Sequence, residues 1–376
     1  MRFLTISLIA ITLFGSDISI KGNIGAEYKK YFNTLSSKTD TQKATTASLE
    51  LEKEVTNGKV FVKIEALSDS DDTNREYVMI NELYYKYFGD SYEITIGKSI
   101  KFWGALELFN PADIFNAKNI LDDVTDKDKK LGAWNITYSK FFENDDEFSA
   151  IMKLDNEAQN FVYQKSPLNT LPLAYNKDFE SEKNRHRPTY YLKYSGSRDD
   201  FAKRDFSFIV QSGYDSYRDT IQSLGKIKQY LYQVDKFITY HTIVKDSTIY
   251  KLEYSYTDVK NYTKIDDYSE YGVGVEHTLY GLWEKKDLGL IVEYYKNNIN
   301  ATNIVYQDDL FAGVRVEFND ADSSDIVAGV IRDFDSDKNG YSLEYNTRIK
   351  DKFKTKIRYL KNDDLEVFGV DFGWYF

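Results

Sequence analysis

The last eleven residues, EVFGVDFGWYF (366–376), contain the clearest structural pattern in the chain. Every second position holds a large apolar residue, and these residues are Phe368, Val370, Phe372, Trp374 and Phe376. The positions between them hold Gly369, Asp371, Gly373 and Tyr375. Because side chains alternate across a β-strand, one face of this strand is apolar and the other is small or polar. The pattern suits a sheet with lipid on one side and water on the other; the alternative is an ordinary half-buried strand.

The same alternation recurs through almost the whole chain. Glu, Lys and Arg occupy the polar faces, and tyrosine often ends the apolar face, as in the aromatic girdles of membrane barrels. About 18 segments of roughly nine to eleven residues show the pattern, which is the length that a tilted membrane strand needs. The segments at 131–154 and 325–333 are ambiguous, so 16 strands is the alternative count.

The connections between these segments alternate between long and short along the chain. Short ones include Asn57-Gly58, Asp246-Ser247 and Lys350-Asp351. The long ones are 33–44, 68–75, 101–130, 155–187, 213–234, 258–269 and 297–308. The sequence therefore predicts an all-β, antiparallel up-and-down transmembrane barrel without a plug domain, with the turns and both termini at one end. Closure pairs every backbone group, as the bilayer requires, and about 18 strands leave room for an aqueous channel.

Composition excludes several other classes of protein. Charged residues make up 29% of the 376 residues, mean hydropathy is −0.54, and no run approaches the ~20 apolar residues of a membrane helix. The net charge of −11 argues against a nucleic-acid partner, and the absence of cysteine excludes disulfides and thiolate chemistry. His186, His241 and His277 are scattered without metal-ligand spacing, and no catalytic or phosphate-binding motif occurs. We therefore predict no enzyme activity, no cofactor and no metal.

The N-terminus predicts export. Arg2 is followed by an apolar run to Phe14 and then by Gly15-Ser16, which indicates a cleaved signal peptide over 1–16. A buried N-terminal strand or a membrane anchor is the alternative. The mature chain, 17–376, is then a single barrel domain in the bacterial outer membrane.

Two segments resemble known proteins. The C-terminal strand resembles the terminal strand of bacterial outer-membrane barrels, which implies that Phe372, Trp374 and Phe376 are read by the assembly machinery. The stretches 80–84 (INELY), 97–104 (GKSIKFWG) and 109–113 (FNPAD) resemble a group of porin-like outer-membrane proteins, mostly of unassigned function. More distantly they resemble alginate-export-type barrels. The second resemblance covers about 35 residues and implies a porin-like barrel without naming a solute.

The long connection 101–130 is the candidate constriction. In porins the third outer loop commonly folds into the lumen, and by analogy we expect this segment to do so. Trp103 and Gly104 permit a close bend, and the Asn110–Asp113 stretch has turn or helix-capping chemistry. Glu107 and Asp113 would contribute to an acidic lip; the alternative is a solvated outer loop.

The inward positions of the strands also carry charge. Early strands lean acidic, with Glu82 among their inward residues, whereas late strands lean basic. The predicted basic residues, opposite the segment 101–130, are Arg315, Arg348, Lys354, Lys356 and Arg358. Opposed charges across a narrow pore would select polar solutes. The alternative is local pairing with Glu344, Glu317 and Asp371, which only keeps the wall hydrated.

These features predict an outer-membrane porin that passes small polar or charged solutes by diffusion. Its expected partners are the bilayer, the assembly machinery and those solutes, with monomer and homotrimer both open. An export channel for a charged polymer, or an adhesin with partner-binding outer loops, are the alternative functions.

Overall fold

The computed structural model describes residues 18–32, 34, 38–119, 121, 129–156, 165–169, 180–181, 186–223, 225–283, 285–300 and 306–376. Within them the chain forms 21 strands and one short 3-10 helix, η1 (Thr73–Arg75). The strands are β1 (Ile18–Phe32), β2 (Thr41–Val55), β3 (Gly58–Asp69), β4 (Tyr77–Phe88), β5 (Tyr92–Ser99), β6 (Ala133–Phe141), β7 (Glu147–Lys153), β8 (Glu180–Ser181), β9 (Thr189–Asp199), β10 (Lys203–Tyr214), β11 (Asp219–Ser223), β12 (Lys226–Leu231), β13 (Gln233–Lys245), β14 (Thr248–Lys260), β15 (Tyr268–Leu282), β16 (Lys286–Asn297), β17 (Asp308–Glu317), β18 (Asp325–Asp333), β19 (Lys338–Ile349), β20 (Phe353–Lys361) and β21 (Glu366–Tyr375). In this described part of the chain, no helix has the length and apolar character needed to cross a membrane.

Eighteen strands form one closed sheet, which confirms the predicted fold class and strand count. Each barrel strand pairs antiparallel with the next barrel strand along the chain, and β21 pairs with β1 to close the ring. The ambiguous segments 131–154 and 325–333 supply β6, β7 and β18, so the count of 16 is wrong. The strands vary more in length than the pattern indicated, from seven residues in β7 to fifteen in β1.

The two faces of the sheet differ as the alternation predicts. On β14, Tyr250 and Leu252 are 47% and 44% exposed, whereas Lys251 and Glu253 between them are 8% and 0% exposed. Large exposed apolar side chains on the outer face suit contact with lipid, and the charged residues between them face the interior. The C-terminal residues Phe372, Trp374 and Phe376 belong to the outer face, at 41–52% exposure.

The long connections contain one element that the alternation did not reveal. β11 and β12 form a hairpin within the segment 213–234, and β12 also pairs in parallel with β8. Near this hairpin, a buried cluster joins Tyr232 and Val234 to Ile265 and Tyr268. These connections are therefore packed against one another at the end of the barrel that carries the long loops.

The seam between the first and last strands depends on a glycine. Gly22 and Phe376 exchange two backbone hydrogen bonds of 2.9 and 3.0 Å. A Cβ at Gly22 would lie 2.6 Å from the Phe376 ring and 2.9 Å from the carbonyl oxygen of Ser48. The C-terminal ring therefore covers a position that only glycine can occupy without displacement.

Replacing Gly22 with alanine is expected to destabilise the folded barrel by about 1–3 kcal/mol, because the methyl group overpacks the seam. Gly369→Ala is the matched control on β21, since a Cβ there would meet nothing closer than 3.6 Å. The urea midpoint of unfolding, followed by heat-modifiable gel mobility, measures the difference. Equal midpoints for the two variants would show that the ring does not constrain Gly22.

Candidate pore constriction

The connection between β5 and β6 is bonded to the inner wall of the barrel on its far side. Glu253, an inward-facing residue of β14, accepts hydrogen bonds from the backbone N–H groups of Ala105, Leu106 and Ala112. The bonds from Leu106 and Ala112 are both 3.1 Å long. Because one carboxyl group accepts three buried backbone donors, Glu253 is an anchor for this segment.

A second carboxylate holds the next residues of the segment. Glu293 of β16 accepts the backbone N–H of Glu107 with both oxygens at 2.9 Å, and that of Leu108 at 3.0 Å. Glu253 and Glu293 together therefore accept five backbone donors that would otherwise need water. Their positions define the path of residues 104–112 across the inner wall.

Glycines allow the close approach between the segment and the wall. Gly104 has φ +91°, which favours glycine, and a Cβ there would lie 2.7 Å from Glu253 Oε1. On β15, Gly272 and Gly274 form an inward-facing slot filled by Leu106, which is 2% exposed. Cβ atoms at these glycines would lie 2.3 and 2.9 Å from the Leu106 methyl carbons. The tip of the segment therefore fits a surface that has no side chains.

An aromatic cluster packs the segment against another part of the wall. The ring centroids of Trp103, Phe115 and Tyr191 are 5.4–5.7 Å apart. The inward residues Ala133, Ile151, Tyr191, Ile209 and Ile238 from β6, β7, β9, β10 and β13 complete the cluster. The inner wall is thus apolar at the place where the segment covers it.

Polar side chains hold the two ends of the segment. Glu82 of β4 accepts the backbone N–H of Ile100 at 3.0 Å. Asn81 accepts from the Gly132 N–H at 2.8 Å and donates to the Lys130 carbonyl at 2.9 Å. The Asn116 side chain accepts from the Lys101 N–H and donates to the Ser99 and Leu131 carbonyls, so it ties both ends together.

Asp113 belongs to the turn that the sequence indicated. The Asp113 N–H donates to the Asn110 carbonyl at 3.0 Å, which closes the turn. Its carboxylate lies 2.7 Å from Lys130 Nζ, and this ammonium also lies 3.9 Å from the centre of the Phe102 ring. Burial raises the pKa of Asp113, while Lys130 opposes that shift. Asp113 is therefore a partner inside the segment rather than an open acidic lip.

The return half of the segment is tied to η1. Arg75 donates from Nε to the Leu121 carbonyl at 2.9 Å and from Nη2 to Glu27 at 2.8 Å. It also forms an ion pair with Asp69. Arg75 is 2% exposed. Because its partners Glu27 and Asp69 belong to β1 and β3, the buried guanidinium fixes the position of Leu121 relative to these two strands.

Charged side chains surround the tip of the segment. Arg315 lies 3.1 Å from Glu107 and 2.9 Å from Glu276. Lys251 lies 3.5 Å from both Glu276 and Glu293. Arg315 therefore contacts the segment directly, whereas the sequence placed it on a wall opposite the segment. The cluster has three carboxylates and two cations.

Much of the remaining lumenal charge is paired locally. Glu344 lies 3.3 Å from Lys356 and 3.7 Å from Arg358, which also lies 3.7 Å from Asp371. Arg348 and Lys354 face each other across β19 and β20 and form no salt bridge with any described residue. On the early strands, Glu52 pairs with Lys59 at 2.7 Å, and Glu50 and Glu65 approach Lys63 at 3.6 and 3.2 Å. The local pairing that the sequence offered as an alternative therefore occurs for Lys356 and Arg358, whereas a field of opposed charges across the pore stays a prediction.

The anchoring residues of the wall were missed at the sequence level. Glu253, Glu293 and Leu106 are not among the site residues predicted from the sequence. The alternation of apolar and polar residues along β14 and β16 nevertheless places both glutamates on the inner face. In the described part of the chain no group of three or more His, Cys, Asp or Glu side chains could hold a metal ion. The histidines lie apart: His241 contacts Thr239, His277 contacts Thr248, and His186 lies 3.4 Å from Asp155.

Solved structures share this architecture. The chain superposes on OpdO of Pseudomonas aeruginosa with a TM-score of 0.58 at 8% identity, covering 96% of this chain and 97% of that one. OccK8 (OprE) of the same organism gives 0.57 at 8% identity, with 96% and 98% covered. The chain has the fold of outer-membrane porins. OpdK of P. aeruginosa, solved with vanillate, gives 0.57 at 6% identity, again with 96% and 98% covered.

Sequence comparison adds no family. No known family model matches the chain, and no curated protein matches it. The structural matches have 6–8% identity and therefore show the fold alone. The family resemblance seen at 80–113 stays a prediction.

Proposed function

We propose that this protein is a diffusion channel for small polar or charged solutes, with the segment 101–130 as its constriction. The main support is the attachment of residues 104–112 to inward-facing carboxylates of β14 and β16. A segment held there would occupy part of the lumen, and solutes would pass through the remainder. The charged inner faces of the other strands would keep that remainder hydrated.

Transport would need neither a reaction nor a cofactor. Selectivity would follow from the width beside the segment and from the charges at its tip, Glu107, Arg315 and Lys251. Glu82, Trp103, Asn110 and Asp113 would act indirectly, because each holds the segment in place or lies within it. We propose Arg348 and Lys354 as the lumenal cations that act on a passing solute, since neither is engaged in a salt bridge among the described residues.

An export channel for a charged polymer would favour a lumen of a single sign. The lumenal carboxylates and cations are instead interspersed and paired, for example in Lys356–Glu344 and Arg315–Glu276. This mixture favours small solutes. An adhesin would use the long outer connections and would not need a lumen open to solutes.

Liposome swelling separates these functions. Vesicles that contain the purified barrel are expected to swell in isosmotic solutions of small sugars and amino acids, with rates that fall steeply as solute size increases. Heat-denatured protein is the control. Folded barrels that give no swelling with any solute would favour the adhesin.

Neutralising three cations of the late strands tests their effect on ions. The triple variant K354Q/K356Q/R358Q is expected to shift ion selectivity toward cations, because their positive charge on one wall is removed. The reversal potential in a salt gradient measures the shift. Neutralising Arg332, Lys338 and Lys361, which lie near the long-loop rim, is the control. An unchanged reversal potential in K354Q/K356Q/R358Q would mean that neighbouring carboxylates already neutralise these three cations, and it would contradict their proposed effect on ions.

The remaining proposals concern delivery and assembly. We propose that residues 1–16, which lie outside the described residues, are a cleaved signal peptide and that the mature barrel resides in the outer membrane. Phe372, Trp374 and Phe376 would then serve as the assembly signal, with the bilayer around the outer face. A homotrimer is one state compatible with this outer surface, and a monomer is the other.

A further inference from the structure

Two cations with no salt bridge lie next to the constriction, on the side of the short turns. Lys101 begins the segment, and its Nζ lies 5.4 Å from the centre of the Phe115 ring. Lys193 is an inward-facing residue of β9, between the exposed Leu192 and Tyr194. Neither ammonium forms a salt bridge with any described residue, and both side chains are half-buried. Positive charge that the protein does not neutralise itself is therefore available to a solute.

The Phe115 ring connects Lys101 to the part of β9 that carries Lys193. Its centre lies 5.4 Å from Lys101 Nζ and 5.4 Å from the ring of Tyr191, which is two residues before Lys193 on the inner face of β9. Burial lowers the pKa of Lys101 to about 8; the cations Lys86 and Lys193 contribute in the same direction, and Glu147 opposes them. Lys86 is already paired with Glu93 at 3.0 Å. Lys101 and Lys193 carry two positive charges and Glu147 carries one negative charge, so the net charge of these three residues is +1.

Hydroxyl groups line the wall beside these lysines. Lys193 faces Ser149 of β7 in the strand register, and Ser149 faces Ser139 of β6. Ser139 and Ser149 are bonded to each other and to Glu147. The wall beside Lys193 is therefore polar.

We propose that Lys101 and Lys193 form a binding subsite for one small oxyanion, a carboxylate or phosphate group, on the turn side of the constriction. Two ammonium groups provide the charged donors that such an anion prefers. The subsite rests on the proposed channel function in one respect, because solutes reach it through the lumen. Solutes that carry this group would be retained briefly below the constriction.

Binding can be measured without conduction. Isothermal titration calorimetry of the folded barrel in detergent is carried out with inorganic phosphate and, separately, with acetate. We expect saturable binding of at least one of them. K101Q/K193Q is expected to weaken binding by about tenfold or more, the effect of losing a charged hydrogen bond. The preferred probe distinguishes a phosphate site from a carboxylate site.

The matched control removes two cations at the long-loop rim. K338Q/K361Q takes away the same charge at the ends of β19 and β20 and is expected to leave the affinity within about twofold of wild type. Absence of saturable binding of both anions would overturn the proposal, as would equal weakening in the two double variants. A barrel that binds the anion but does not conduct would contradict the channel function and leave the subsite intact.

The pH dependence provides a second readout. Acetate stays ionised between pH 7 and 9, whereas Lys101 loses its proton as pH rises through about 8. Acetate affinity is therefore expected to fall over this range in the wild type and to fall less in K101Q. The same fall in both proteins would remove Lys101 from the site.

Discussion

Removing the Glu253 carboxylate is expected to open the pore. Glu253 accepts three backbone N–H groups with two oxygens, so alanine leaves all three donors without a partner and glutamine leaves at least one. Each unsatisfied buried donor costs about 1–3 kcal/mol, which favours release of residues 104–112 from the wall. Single-channel conductance should increase from wild type to E253Q to E253A, by a factor of about two for E253A.

A matched variant separates this release from a simple change of lumenal charge. Glu52 also faces the interior and pairs with Lys59 at 2.7 Å, and it bonds to no residue of the constriction in the described structure. E52Q is expected to retain the wild-type conductance. If folded E253A conducts like the wild type, the carboxylate does not hold the segment.

Filling the glycine slot of β15 is expected to displace the segment by steric force. In G272A the new Cβ would lie 2.3 Å from a Leu106 methyl carbon, and the two atoms cannot share that space. The variant should show higher and noisier conductance than the wild type. In L106A the slot is merely emptied, and Glu253 and Glu293 still hold the backbone, so its conductance should change less.

The double variant gives the decisive comparison. In G272A/L106A the shortened side chain leaves room for the added methyl, so conductance should return toward the wild-type value. Such non-additivity is the signature of direct contact between two positions. Additive effects of the two substitutions would show that Leu106 does not occupy the slot.

The fold could be predicted from the sequence because one physical constraint acts on every strand. Lipid outside and water inside impose a two-residue period, and that period is visible from Ile18 to Phe376. A Lys or Arg exposed to lipid at mid-depth costs about 2–4 kcal/mol. The alternating positions that carry charge therefore identify the inner face of each strand, even when its neighbouring strands are not known. The ends of the strands could be predicted less well, because residues at the membrane surface can contact either lipid headgroups or water.

The constriction was only partly accessible from the sequence. The segment 101–130 stood out by its length and its Trp103-Gly104 bend, but its contacts join positions 148 and 186 residues apart. No local pattern encodes which inward glutamate receives which backbone donor. Gly272 and Gly274 gave a signal that could have been used, because paired inward glycines on a strand indicate close approach of another backbone or side chain.

The hairpin β11–β12 was missed for a different reason. Its strands have five and six residues and lie outside the bilayer, so lipid does not impose an apolar face on them. Gly225, with φ +71°, marks its turn and was the available signal. Short strands in water-exposed connections depend on packing with their neighbours, which the sequence alone does not specify.

Single-channel recording of the purified wild-type barrel in a planar lipid bilayer tests the central claim most directly. The account predicts stepwise openings of uniform size from folded protein, smaller than those of E253A under the same salt conditions. Folded, membrane-inserted protein that produces no openings would contradict it, because a hydrated lumen beside the constriction must pass ions.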